Sequence, residues 1–430
     1  MLLYRKNVPF ASENFIGIGE KGLPGEGGVY YNKLIQQKGA HGMKVCGVIA
    51  EYDPFHKGHE RHLRLARQAT GADFIVCVMS GFYTQRGMPS LLPADVRAKM
   101  ALLGGADVVL QLPAAFSLRE GDKFAAAGVE ILDRLQCVND LSFGCETDDI
   151  QLLQKAACLL EEKNDAFEGD IQKGLKDGLS YAASQGRALE NALGEDAKKL
   201  HLPNAALGLS YLRALKRRGS AVQPCVVLRR NDYHAKELEG YPSATAVRAA
   251  ILRGDWQSVK NSVPEKALPV LMEAIEAGRI LHPEKMDAPL RLALLRLGEE
   301  GIRKLPGVDE GLESRILQAA REYMRREDML QAVKTRRYTL GRISRALCWA
   351  LLGTEKAGLP ESPDCVQVLG FRESARPLMK KMQEGGIPLV MKKAREEKLA
   401  EEMRWVDIWH ALAGRSMAEH YRLGPVIVEE

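Results

Sequence analysis

The chain has 430 residues, 46% of them apolar and 27% charged, with 61 basic against 56 acidic side chains and a net charge of +5. That length suggests two or three domains, and the balance is that of an ordinary globular protein rather than a disordered or fibrous one. The mild basic excess permits a nucleic-acid partner without requiring one.

Eight cysteines show no C-x-x-C spacing, and several lie inside apolar runs. They read as reduced core thiols of a cytoplasmic protein, with no zinc site. No apolar run reaches the length of a membrane span, and the first residues lack the apolar core of a signal peptide. Residues 1–42, which include "ASENFIGIGEKGLPGEGGVYY", are glycine-rich and follow neither the helix nor the strand period. The stretch "QKGAHGM", which ends on Met43, can be encoded by a purine-rich sequence of the ribosome-binding type shortly before an ATG. We therefore expect Met43 to be the start and treat residues 1–42 as an extension outside the fold.

From Met43, apolar strands alternate with amphipathic helices. Strands are predicted at 44–50, 74–80, 106–112, 139–144 and 222–228, and helices at 58–70, 93–104 and 121–136. Two or three more helices follow up to Arg218, and one at 243–251 opens on Ser243 as N-cap. This pattern predicts an α/β domain over 43–255 with a parallel sheet covered on both faces. Beyond it the texture changes. Helices are predicted at 265–278, 288–303, 311–324, 341–353, 374–384 and 393–413, with only weak strand signals in "CVQVLG" and "IPLVM". The expectation is a mainly helical, basic domain over 256–430.

Ligands of open parallel sheets bind beyond the carboxyl ends of the strands, and the polar motifs fall there. "EYDPFHKGHERH" follows the first strand, "SGFYTQRG" the second, "LPAAFSLREGDKF" the third, "GCETDD" the fourth and "RRNDYH" the fifth. Pro54 ends the first strand. His56 and His59 share a face of the following helix, and Gly58 lets a phosphate approach the backbone. The helix N-terminus adds free N–H groups. Such donors stabilise the charge that grows on an α-phosphate in nucleotidyl transfer. No third ligand accompanies the two histidines, so a metal site is not expected.

These residues resemble the HxGH signature of the class I nucleotidyltransferases. The segment from Met43 to about Leu252 is similar to the bacterial tRNA(Met) cytidine acetate ligases in particular, through "EYDPFHKGH", "SGFYTQRG", "QLP", "FGCE" and "PSATAVR" in that order. Asp53 and Lys57 stand where the family carries Asn, Gln111 where it carries Glu, and Cys145 where it carries Ser.

The resemblance implies a Rossmann-like, HUP-type nucleotidyltransferase domain with His56 and His59 catalytic. It implies ATP bound by Ile49, Ala50, Glu51, Tyr52, Asp53, Pro54, Phe55, His56, Lys57, Gly58, His59, Glu60, Arg61 and His62. Gly144, Asn204, either Arg229 or Arg230, and the β,γ-phosphate ligands Ser243 and Thr245 complete that set, with Arg248 one turn on. It further implies ATP as substrate, with magnesium and no tightly bound cofactor. Acetate would be activated as acetyl-adenylate, and the acetyl passed to N4 of the wobble cytidine of elongator tRNA(Met). Gln85 and Arg86 are candidates to face acetate or RNA.

In the second half, Lys334, Arg336, Arg337, Arg342 and Arg345 cluster near Tyr338 and Trp349. Basic groups with aromatics suit RNA phosphates and stacked bases, so this segment is the expected tRNA contact. Two alternatives keep part of the reading. One is an acetate-activating ligase that acts on a protein thiol, like the citrate lyase ligases. The other is a non-catalytic RNA-binding protein on a relic nucleotide fold. The basic helical half disfavours the first, and intact His56, Gly58 and His59 disfavour the second.

Overall fold

A computed structural model of the chain describes residues 16–18, 42–162, 164–179, 181–229, 243–309, 311–392 and 397–429. The expectation about residues 1–42 therefore falls mostly outside the described residues; of its described part, Gly42 is exposed and Ile16–Ile18 pairs with the strand at Gln223–Leu228, so those three residues belong to the sheet rather than lying outside the fold.

The strands in chain order are β1 (Ile16–Ile18), β2 (Val45–Ala50), β3 (Phe74–Ser80), β4 (Tyr83–Thr84), β5 (Met88–Pro89), β6 (Val108–Leu112), β7 (Asp140–Cys145), β8 (Gln223–Leu228), β9 (Val366–Arg372), β10 (Leu389–Val390) and β11 (Val426–Val428). Nine of them form one sheet in the order β1-β8-β7-β2-β3-β6-β9-β10, with β11 also on β9, while β4 and β5 pair as a separate hairpin. Pairing in the large sheet is parallel throughout except for β6 with β9, where Val108 faces Phe371. The central strands are short, rich in valine and buried on both faces, as parallel strands covered by helices must be.

The chain moves outward from β2 to β3 and β6, then returns to the other side of β2 to lay down β7 and β8. The order reverses between β2 and β7, and a crevice opens at the carboxyl ends of strands at such a point. The helices that frame it are α1 (Lys57–Thr70), α2 (Ala94–Leu103), α3 (Gly121–Arg134), α4 (Pro203–Arg218) and α5 (Ala244–Arg253).

The last third is mainly helical and includes α6 (Leu340–Leu352) and α7 (Ala400–Ala413). It also contributes sheet. β9 lies against β6, and its outer edge carries β10 on Val366 and Gln367 and β11 on Gly370 to Arg372. The two weak strand signals of the sequence are β9 and β10. The core is correspondingly continuous: Trp349 and Trp409 from this third are among the largest fully buried side chains, alongside Tyr52, Phe55 and Phe82.

Candidate nucleotide site

β2 leaves the sheet through Tyr52, whose φ is +48°, and a cis Asp53–Pro54 bond, and His56 then caps α1. The cap is reciprocal. Gly58 N–H donates to His56 Nδ1 at 3.0 Å, and His56 N–H donates to His59 Nδ1 at 3.3 Å. This is a capping box made of two imidazoles. Their rings stack with centroids 3.7 Å apart, and Tyr52 closes over His59 at 4.7 Å. One turn on, His62 Nε2 lies 3.1 Å from Ser142 Oγ of β7.

Burial, with Arg229 nearby, lowers the His56 pKa to about 4. His59 is also held well below its usual value, by burial first and then by His56 and Arg229. His62 falls to about 4, from burial and then from Arg229 and Arg61. The His56–His59 pair is therefore neutral near pH 7. Since each Nδ1 accepts a backbone N–H, the proton of each ring belongs on Nε2. Each imidazole thus offers one fixed donor.

Across the crevice, Glu146 satisfies the start of α4. It accepts from Asn204 Nδ2 at 2.6 Å and from Ala205 N–H at 2.8 Å. Arg229 Nη1 donates to Asn204 Oδ1 at 2.9 Å. Gly144 lies under Arg229: a Cβ there would stand 2.8 Å from Arg229 Cδ. Only a residue without a side chain lets the guanidinium stem cross the strand end. Arg230 lies outside the described residues.

The third wall joins α5 to the "SGFYTQRG" loop. Ser243 Oγ caps α5 by accepting from Ala246 N–H at 3.3 Å. Thr245 Oγ1 accepts from Arg86 Nη1 at 3.3 Å and from Arg248 Nη2 at 3.1 Å. Arg248 also donates to Asp53 O at 2.5 Å. Gln85 N–H donates to the Glu51 carboxylate at 2.5 Å, a group whose pKa burial raises. Beneath the loop, the fully buried Arg97 donates to Glu51 O, Ser80 O, Leu92 O and Gly81 O. It satisfies carbonyls that the strand ends leave unpaired.

α6 reaches the same loop from the other side. Ser344 Oγ lies 2.6 Å from Arg86 O and 3.0 Å from Gly87 O, and Arg345 Nη1 donates to Gln85 O at 3.2 Å. Gly87 has φ +78°, and a Cβ would stand 2.4 Å from Arg345 N, so both its conformation and the close approach of α6 demand glycine.

These walls enclose a cavity of about 310 Å³. Of the expected site residues, Ile49 to Asp53, His56, His59, His62, Gly144, Asn204, Arg229, Ser243 and Arg248 line it together, as do Gln85 and Arg86. Pro54, Phe55, Lys57, Gly58, Glu60, Arg61 and Thr245 are not part of its lining, although Thr245 is tied to it through Arg86 and Arg248. Sequence reasoning did not single out Glu146, Arg97 or the apolar wall of Phe124, Phe143 and Tyr211. Glu146 stood in a quoted motif, "GCETDD", whereas nothing in the pattern around Arg97 distinguishes it from a surface arginine.

The basic residues of the second half divide. Lys334, Arg336 and Arg337 are all exposed. Arg342 pairs with Asp309 and donates to Gly307 O at 2.7 Å, while Arg345 holds Gln85. The expected aromatic stacking is not available. Tyr338 is 4% exposed and Trp349 1%, and Trp349 Nε1 donates to Leu118 O. Both rings serve the core. Gln111, which stands in an acidic position of the family pattern, donates instead to a buried carboxylate, Glu402 of α7, which also accepts from Ala114 N–H at 2.7 Å.

The HIGH Nucleotidyl Transferase family model matches residues 43–420. The tRNA(Met) cytidine acetate ligase of Fervidobacterium nodosum is 34% identical over 370 residues, covering 84% of this chain and 87% of that protein. The enzyme of the same name from Clostridium kluyveri is 32% identical over 411 residues, covering 90% of this chain and 100% of that protein. The crystal structure of Thermotoga maritima TmcAL bound with alpha-thio ATP superposes with a TM-score of 0.82 at 29% identity, over 90% of this chain and 100% of that one.

Proposed function

This chain belongs to the tRNA(Met) cytidine acetate ligase family, and on that premise we propose that it activates acetate with ATP and acetylates N4 of the wobble cytidine of elongator tRNA(Met). The observation that carries the reading is the stacked, neutral His56–His59 pair, each ring with Nδ1 taken by the backbone and Nε2 left as a donor at the cavity.

In the first step an acetate oxygen attacks the α-phosphorus of ATP. The bond to the bridging oxygen breaks, and pyrophosphate leaves. Negative charge grows on the α-phosphoryl oxygens as this happens. Two donors already fixed in place lower that barrier without reorganising. Asn204 and Arg229 flank the nucleotide opposite the histidines. The N-terminus of α5, with Ser243 and Thr245, receives the β- and γ-phosphates. A magnesium ion bound to the triphosphate would supply counter-charge to its phosphates. In the second step the cytidine N4 amine attacks the acetyl carbon, the C–O bond of the mixed anhydride breaks, AMP leaves, and the amine gives one proton to solvent.

The test is an incubation of the protein with ATP, labelled acetate and bacterial tRNA, followed by mass analysis of the nucleosides. Labelled N4-acetylcytidine that requires both ATP and acetate is the expected result. Acetate-dependent ATP–pyrophosphate exchange without any labelled nucleoside would keep the nucleotide site and refute the acceptor.

A further inference from the structure

A second cavity, of about 420 Å³, is tied to the Gln85–Arg86 loop through Arg345, which lines it and donates to Gln85 O. Arg119, Arg342, Arg345 and Lys356 line it, together with the carboxylates of Glu120 and Asp309. Four cations therefore face two anions. Asp309 is committed to Arg342, and Glu120 lies 3.8 Å from Arg119. Arg345 and Lys356 have no carboxylate within ion-pair distance among the described residues, and Lys356 is exposed. Arg345 is half-buried and gives one N–H to Gln85 O. A guanidinium stays charged when partly buried, so this wall presents an excess of fixed positive charge to an open space.

Gln85 connects the two cavities. It lines the ATP cavity, its carbonyl is held by Arg345 of the second, and a Cβ on Gly121, beside Glu120, would lie 3.9 Å from its Nε2. Three further exposed cations, Lys334, Arg336 and Arg337, precede α6 in the chain. A single small anion would use one such group. Several such groups on one wall, one of them bonded to a residue of the ATP cavity, suit a chain of phosphates.

We propose that this second cavity holds the phosphodiester backbone of the acceptor RNA next to the reacting base, with Arg119, Arg345 and Lys356 as the phosphate contacts and Gln85 as the partition between acceptor and ATP. The proposal rests on the ligase reading for the identity of the RNA, but not for the existence of the contact.

The experiment uses the full chain, a fluorescently labelled tRNA(Met) transcript and a range of salt concentrations, with acetate-dependent ATP–pyrophosphate exchange measured in parallel. The variants are Lys356→Glu, a change at an exposed position that the fold tolerates, and Arg119→Gln, singly and together. Each is expected to weaken tRNA binding several-fold and to lower the slope of log affinity against log salt by about one, with exchange unchanged. Wild-type affinity and slope in the double variant would overturn the proposal, as would a loss of exchange that tracks the loss of binding. A wild-type protein without exchange, whose tRNA binding still falls in the variants, would support the cavity and overturn the ligase reading instead.

Discussion

Each imidazole of the His56–His59 pair has one nitrogen committed to the backbone and one that no partner among the described residues engages. His59→Ala is expected to lower acetate-dependent ATP–pyrophosphate exchange by ~10²–10³, the usual worth of one charge-stabilising donor. Wild-type exchange in that variant would remove the pair from the chemistry. The same burial has a thermodynamic signature. His56 titrates near 4 in the folded chain against about 6.5 when unfolded. Between those values the unfolded state binds more protons, so stability is complete above about pH 6.5 and falls as the pH drops toward 4. Asparagine is a good N-cap with nothing to titrate. His56→Asn should therefore flatten the loss of Tm between about pH 7 and pH 5; an unchanged acid slope would show that the burial of His56 does not set it. The histidines and the glycine between them were legible in the sequence because a strand exit fixes what comes next. The tautomers were not, since they depend on which backbone N–H each ring accepts. Glu146 was hidden for a related reason: its partners, Asn204 and Ala205, lie 58 and 59 residues along the chain.

At the scale of elements, the short buried strands and the amphipathic helices were readable because hydrophobic periodicity is local. Predicted strands at 74–80 and 222–228 correspond to β3 and β8 within a residue, and the helix at 58–70 to α1. The helix Arg326–Val333 went unrecognised; it has eight residues, and its Arg326 is buried against Gly87 O and Ser344 rather than facing water. β9 gave a weak signal for the opposite reason. It is buried along most of its length, so it lacks alternation, and its partner β6 is far away in sequence. The attachment of α7 to the end of β6 is of the same long-range kind. Glu402 is buried, and its carboxyl is pushed up to about 7, by desolvation above all. With the folded value above the usual 4.5, the folded state binds more protons in between, so this group costs stability as the pH rises from about 4.5 through 7. Glu402→Gln keeps an acceptor for Ala114 N–H and removes the charge. It should raise Tm at about pH 8 by roughly 2 °C and leave it nearly unchanged near pH 5; a lower Tm at the higher pH would mean that the carboxylate is a net stabiliser.

At the scale of the whole molecule, the sheet draws on both halves of the chain, and the nucleotide cavity, lined by the first half, is braced by the second. β9 covers the edge of β6, and α6 braces the loop that carries Gln85 and Arg86. A fragment that ends at residue 255 would leave β6 as an apolar, unpaired edge, which is a template for aggregation. Such a fragment is expected to be insoluble or to show no cooperative thermal transition; a monomeric, cooperatively melting fragment would establish that residues 43–255 fold alone. The pairing of β6 with β9 also has a consequence for biosynthesis. A ribosome adds ~5–20 residues per second, so β6 emerges roughly ten seconds or more before the strand that shields it. During that interval the nascent chain carries an open sheet edge, and its folding must either wait for the last stretch of sequence or be chaperoned until it arrives.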